Sequence, residues 1–176
     1  LYICAANGYQ AAMMAPTEVL ARQHYRDLSP LLESLGIKCV LLTGSTPASE
    51  KRQIYAFLEN GDASVAFGTH ALITKEISFK NLALAITDEQ HRFGVRQRAA
   101  LGEKGNHPHT MVMTATPIPR SLALIMYGDM DISVIDTLPP GRQKIDTFCV
   151  GENMRGRIYA FIKREIESGS RVYYVC

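Results

Sequence analysis
Short apolar runs alternate with amphipathic stretches along most of the 176 residues. Residues 10–15 (Q-A-A-M-M-A) predict a buried strand, which Pro16-Thr17 then break. A helix should follow, because Leu20, His24, Leu28, Leu31 and Leu35 recur at spacings of three or four. Gly36 stands where a helix-ending glycine belongs. Ile37 and residues 40–42 read as a second strand, and Thr46-Pro47 open a second helix with Ile54, Phe57 and Leu58 on its apolar side. After Gly61-Asp62 a third strand is expected at residues 63–67. A fourth, at 82–86, is a continuous apolar run of the kind buried on both faces of a parallel sheet. A helix at about 96–103, a strand at 110–113, a helix at about 120–127 and a strand at 132–135 continue the alternation. The pattern predicts an α/β fold with a mainly parallel sheet flanked by helices.

The rhythm breaks at Leu138-Pro139-Pro140-Gly141-Arg142, the strongest linker signal in the chain. Beyond it a strand is expected at 144–150, a helix at 155–168 with Ile158, Phe161, Ile162 and Ile166 inward, and a strand at 171–175. The expected division is a first domain at 1–137, a linker at 138–143 and the opening strand–helix–strand of a second α/β domain at 144–176. The chain starts at Leu1 and stops at Cys176 in mid-strand, where the backbone would still need a partner. A piece of a longer protein is the expectation.

Composition mostly excludes. Apolar residues at 47% and charged residues at 20% argue against disorder, collagen and a coiled-coil rod. No apolar run reaches the roughly 18 residues of a membrane span. A net charge of +2 is too small to mark a nucleic-acid binder by itself. Cys4, Cys39, Cys149 and Cys176 form no C-x-x-C pair, so neither a zinc ribbon nor a thioredoxin-like site is supported. They read as small thiols in a reducing, cytoplasmic compartment.

The candidate chemistry sits at strand ends. Asp88-Glu89-Gln90-His91 directly follows the apolar fourth strand. Ligands of open α/β sheets bind just beyond the carboxyl ends of the strands. There, one acid can hold Mg²⁺ and the other can orient or deprotonate an attacking water, as nucleotide hydrolysis requires. A solvated acidic pair capping the next helix accounts for the same residues. Thr114-Ala115-Thr116 follows the next strand, either as ordinary caps or as hydroxyls beside the acidic pair.

Four motifs in chain order resemble the motor of superfamily-two helicases: Pro16-Thr17-Glu18, Gly68-Thr69-His70-Ala71, Asp88-Glu89-Gln90-His91-Arg92-Phe93-Gly94-Val95 and Thr114-Ala115-Thr116-Pro117-Ile118-Pro119-Arg120. More narrowly, D-E-Q-H-R-F-G-V, T-A-T-P-I-P-R and L-P-P-G-R resemble the bacterial RecG-type ATP-dependent DNA helicases. The resemblance implies a RecA-like (P-loop NTPase-type) domain followed by the start of a second one, with ATP and Mg²⁺ as cofactors. It implies that Asp88 serves Mg²⁺, directly or through water, and Glu89 the attacking water, with Gln90 and His91 completing the box. Thr114, Ala115 and Thr116 would link nucleotide state to DNA movement. Pro16 and Thr17, and Gly68, Thr69 and His70, would grip the DNA backbone. The implied activity is remodelling of branched or forked DNA (fork regression, Holliday-junction branch migration) in recombination and repair. Single-stranded-DNA-binding protein is an implied partner of the full-length parent, and no membrane is. The implied location is the bacterial cytoplasm, at the nucleoid.

The chain departs from that pattern in one respect. It contains no Gly-Lys dipeptide, hence no G-x-x-x-x-G-K-[ST] phosphate loop. In the family that loop would precede Leu1 and the arginine finger would follow Cys176, so the piece alone is expected not to hydrolyse ATP. Two other readings compete. The transcription-repair coupling factor shares T-A-T-P-I-P-R, but typically reads D-E-E-Q-R-F-G-V and lacks the P-P-G-R continuation. A non-enzymatic interaction module with a degenerate helicase fold would also lack the phosphate loop.

Other residues have plainer readings. His107-Pro108-His109 reads as a turn before the strand at 110, not a zinc site. His24 reads as a satisfied core histidine, and Met13, Met14, Met111 and Met113 as core filling. Arg92, Arg96 and Arg98 are either a solvated helix face or a contact to DNA or the second domain.

Overall fold
The computed structural model describes residues 1–89, 93, 100–115, 131–137, 139, 141–142 and 145–175. It divides into two compact units, Leu1–Gly128 and Asp129–Cys176.

The first unit opens with helix α1 (Tyr2–Ala6) and strand β1 (Gln10–Met14). Helix α2 (Glu18–Ser34), strand β2 (Cys39–Leu42), helix α3 (Ala48–Asn60) and strand β3 (Val65–Gly68) follow. A 3₁₀ turn (His70–Ile73) leads to β4 (Leu82–Asp88) and later β5 (His109–Met113). The strands form one parallel sheet in the order β2-β3-β1-β4-β5. The α/β expectation is met, because each apolar run is long enough for a strand and each intervening stretch for a crossover.

Period-two alternation splits the core between the two faces of the sheet. Ala12 and Met14 face a cluster with Leu42, Leu58, Leu72 and Leu101, while Met13 joins Leu32, Phe67 and Ile86 on the other side. The register sets Met14 opposite Gly68 and Thr87, and Asp88 opposite Met113. The carboxyl ends of the strands therefore line up along one edge.

Local signals explain the ends of α2. The Thr17 hydroxyl accepts from the Leu20 N–H at 3.3 Å and caps the first turn. At the other end Gly36 has φ 78°, its N–H reaches the Glu33 carbonyl, and the Ile37 N–H reaches the Leu32 carbonyl. This is a Schellman ending, closed by the apolar pair Leu32 and Ile37. The buried stripe differs from the expected one. Leu28 packs toward the sheet as expected, but Leu31 and Leu35 are exposed, and Ala21, Tyr25 and Leu32 complete the buried stripe. Two overlapping sets of positions three and four apart existed, and the set with the small Ala21 lets the helix approach the strands.

Some expectations fall elsewhere. Of the helix expected at 96–103, residues 100–102 are helical and 94–99 lie outside the described residues. The helix expected at about 120–127 and the cluster Arg92, Arg96 and Arg98 also lie outside them. His107, with φ 53°, turns the chain into Pro108 and β5.

The second unit carries a 3₁₀ turn (Glu152–Met154) and helix α4 (Arg155–Glu167). The segments expected as strands at 132–135, 144–150 and 171–175 are not strands among the described residues. Nor does α4 turn its apolar side inward: Ile158, Phe161 and Ile166 are exposed. The apolar pattern is present, but a strand forms only where its N–H and C=O groups find a ladder partner. What packing there is includes the Tyr174 ring against Tyr159, with centroids 6.4 Å apart.

Candidate active site
The fourth strand ends in a strained turn. Asp88 is its last residue, and Glu89 adopts φ 48°, a left-handed conformation that side-chain-bearing residues seldom occupy. Such conformations cost of order 1–3 kcal/mol and cluster at functional sites. The Asp88 Oδ1 accepts from the Glu89 N–H at 2.9 Å. Its Oδ2 lies 2.8 Å from His24 Nε2. An ionised carboxylate can only accept, so the imidazole carries its proton on Nε2 and donates. Both side chains are largely withdrawn from water, at 24% and 17% exposure.

The neighbouring strand end completes this corner. Thr114 follows β5 and donates through its hydroxyl to Glu89 Oε2 at 3.3 Å. The parallel pairing of β4 with β5 brings the hydroxyl and carboxylate together. Ala115 is exposed beside it. Gln90, His91 and Thr116 lie outside the described residues.

A second group occupies the same edge at β1, β2 and β3. Pro16 and Thr17 link β1 to α2, with Thr17 exposed. Glu18 grips the loop after β2: its Oε1 accepts from the Ser45 N–H at 2.8 Å and its Oε2 from the Ser45 hydroxyl at 2.7 Å. The Ser45 hydroxyl, and then its N–H, hold the Glu18 carboxyl below the ordinary range. Arg22 donates to Ser45 Oγ at 3.1 Å, and Lys51 to the Gly44 carbonyl at 3.0 Å. Within that loop the Thr46 hydroxyl accepts from the Thr43 N–H at 3.0 Å.

The Gly68-Thr69-His70 segment divides between support and surface. Gly68 is buried, and a Cβ on it would lie 2.2 Å from the Leu42 carbonyl oxygen. Thr69 is buried as well and caps the 3₁₀ turn through the Ala71 N–H, while His70 is exposed.

Sequence reasoning missed two parts of this edge. His24 is not a core histidine; it reaches from α2 to the acid that ends β4. The signal was its spacing: Thr17, Ala21 and His24 share one helix face, and Thr17 stands at the strand-end edge. The loop of Thr43, Gly44, Ser45 and Thr46 was also missed, although small polar residues after a buried strand are themselves a signal.

Acids, hydroxyls and a helix start converge at the carboxyl edge of a parallel sheet, where α/β proteins bind ligands. A family model described as DEAD/DEAH box helicase matches residues 2–125. The chain belongs to the DEAD/DEAH box helicase family. Within that family it is similar to the ATP-dependent DNA helicase RecG of Aquifex aeolicus, 49% identical over 171 residues, covering 96% of this chain and 22% of that one. The Bacillus subtilis RecG is 47% identical over 176 residues, covering all of this chain and 26% of its own. A solved structure of RecG bound to a three-way DNA junction matches with a TM-score of 0.77 and 46% identity, covering 92% of this chain and 22% of that one. The chain thus spans about a quarter or less of the length of these relatives. The RecG resemblance carried by D-E-Q-H-R-F-G-V and T-A-T-P-I-P-R extends over nearly the whole chain, and the helicase-family fold is the one found.

Among the described residues no group of three or more His, Cys, Asp or Glu could hold a metal ion. Asp88 and Glu89 supply hard oxygen donors only. That donor set fits Mg²⁺, which keeps most of its waters and takes one or two carboxylates alongside phosphate oxygens. It does not fit zinc, which wants four N or S ligands in structural sites.

Proposed function
We propose that the protein to which this chain contributes is an ATP-dependent DNA helicase that remodels branched DNA. The observation that carries this reading is the Asp88-Glu89 corner, with the Thr114 hydroxyl on Glu89, on the same sheet edge as Thr17. Asp88 would hold Mg²⁺, directly or through water, and Glu89 would orient the attacking water. Bound Mg²⁺ would neutralise charge developing on the transferred phosphoryl group. Thr114, bonded to Glu89, would sense whether that carboxylate is engaged, and Ala115 and Thr116 would extend the same motif. Thr17 and His70 would contact the DNA backbone through the hydroxyl and a ring N–H, which position a strand without reading its sequence, while Glu18 holds the Ser45 loop beside them. Pro16 would fix the entry to α2, and Gly68 and Thr69 would hold His70 at the edge. Gln90 and His91 belong to the same box.

The reading extends to the rest of the chain. Residues 1–137 form most of a first motor domain, 138–143 a linker, and 144–176 open a second motor domain. Forked DNA exposes single strands, so single-stranded-DNA-binding protein is a natural partner of the full-length protein at the bacterial nucleoid. The similarity to RecG helicases favours action on DNA without RNA polymerase.

The test uses the full-length protein and synthetic forked and three-way DNA, with ATP and Mg²⁺ and no polymerase. ATP-dependent conversion of the fork into separated or regressed products supports the proposal. Movement only when a stalled RNA polymerase is present would favour the coupling-factor reading. Nucleotide-independent DNA binding with no hydrolysis would favour the interaction module.

A further inference from the structure
We infer that His24 is a positioning residue for the Asp88 carboxylate, tying helix α2 to the metal-binding corner of the site. The inference rests on the proposed ATP-dependent activity.

Each Asp88 oxygen has one described donor: the Glu89 N–H on Oδ1 and His24 Nε2 on Oδ2. The first bond is local and would follow Asp88 wherever its backbone went. The second spans 64 residues of sequence and fixes the carboxylate plane from outside β4. A carboxylate oxygen can accept twice, so the bond to His24 leaves Oδ2 able to meet a metal or its water. Donors of this kind, one step removed from a metal, orient the ligand and are worth about 10–100-fold in metal affinity.

The other end of α2 gives this contact a consequence. The helix starts at the Thr17 cap, and Glu18 in its first turn is clamped to Ser45 by two hydrogen bonds. His24 stands two turns further on, along the same face as Thr17. β1 and β4 are adjacent in the sheet, and the chain passes from β1 outward to β2 before reaching β4 on the opposite side. His24 therefore bridges the point where the strand order reverses. A shift of the α2 start, such as DNA contact at Thr17 would cause, moves the donor on Asp88. No equivalent link to Asp88 runs from α3 among the described residues.

The deciding experiment compares His24→Gln with His24→Met in the full-length protein. Both replacements are long, unbranched helix formers of similar size, and only Gln retains an N–H near the Nε2 position. Thermal melting and DNA affinity confirm that each variant is folded. Affinity for Mn²⁺, used as a paramagnetic substitute for Mg²⁺, is measured by electron paramagnetic resonance with a non-hydrolysable ATP analogue bound. The expected result is a loss of about tenfold in Mn²⁺ affinity for Met, with Gln within about threefold of the parent protein. Equal affinity in both variants, whether normal or reduced, overturns the role of His24 and leaves the helicase proposal standing. Failure of the unaltered protein to bind Mn²⁺ with the nucleotide overturns the nucleotide reading, and this inference with it.

Discussion

At the scale of single residues, close approach and burial decide more than residue type. Gly68 carries a motif expected to touch DNA, yet its lack of a side chain has a nearer cause. A Cβ there would meet the Leu42 carbonyl oxygen at 2.2 Å and Leu72 Cγ at 2.8 Å. The carbonyl belongs to a paired strand and cannot move aside, so Gly68→Ala should cost at least about 2 kcal/mol in chemical denaturation. A loss of DNA affinity with unchanged stability would show that the glycine matters for contact and not for packing. The cysteines make a second comparison. Burial, with Glu33 adding to it, pushes the Cys39 thiol up to about 11, whereas Cys149 is exposed. At pH 8 only about one Cys39 in a thousand is thiolate, the reactive form. Mass spectrometry after a short iodoacetamide pulse should find Cys149 labelled and Cys39 nearly untouched. Equal labelling would contradict the burial.

At the scale of elements, the strands were legible because continuous apolar runs have few alternatives to burial in a parallel sheet. Residues 10–14, 39–42, 65–68, 82–88 and 109–113 all emerged within two residues of their expected positions, and Gly36 and Gly61 marked helix ends correctly. Less legible was which face of α2 would be buried. Leu31 and Leu35 fit the period as well as Leu32 does, and only the sheet's shape chose between them. The same ambiguity hid His24, whose partner is 64 residues away. Pairings of that range depend on strand order, which the sequence pattern did not specify. Gln10 illustrates the point further. It opens β1 as a buried polar residue, and its amide donates to the Leu58 and Ala63 carbonyls at 2.8 and 2.9 Å while accepting from the Asn81 N–H at 2.9 Å. One side chain thus ties the ends of α3, β1 and β4. Gln10→Leu keeps the volume and takes the partner from the Ala63 carbonyl and the Asn81 N–H, while the Leu58 carbonyl keeps the Lys80 N–H, so a loss of about 3 kcal/mol is expected in urea unfolding. A loss under 1 kcal/mol would mean that water replaces the amide.

At the scale of the whole molecule, the two units contrast. In the first, β1 to β4 are largely buried within one sheet, while Met111 on β5 is exposed. The second has a helix and apolar segments whose residues Val134, Ile135, Phe148, Tyr173 and Val175 remain exposed. The strand pattern there is a property of the sequence, while strand formation needs a neighbour. The near-neutral net charge of +2 is equally a whole-molecule property that acquires meaning only locally. Under the proposed function the donors to a DNA backbone stand locally on one sheet edge, at Thr17 and His70, and a basic surface everywhere is not required.

The central claim is that the carboxyl edge of β4 is the hydrolytic centre of a nucleotide-driven motor. It is tested most directly by Glu89→Gln in the full-length protein, with ATP turnover and nucleotide affinity measured on the same preparation. Gln keeps the shape and can still meet Thr114, but it cannot take a proton from water. The account predicts nucleotide affinity within about threefold of the parent protein and turnover reduced by at least about 100-fold. Turnover at the parent rate would contradict it.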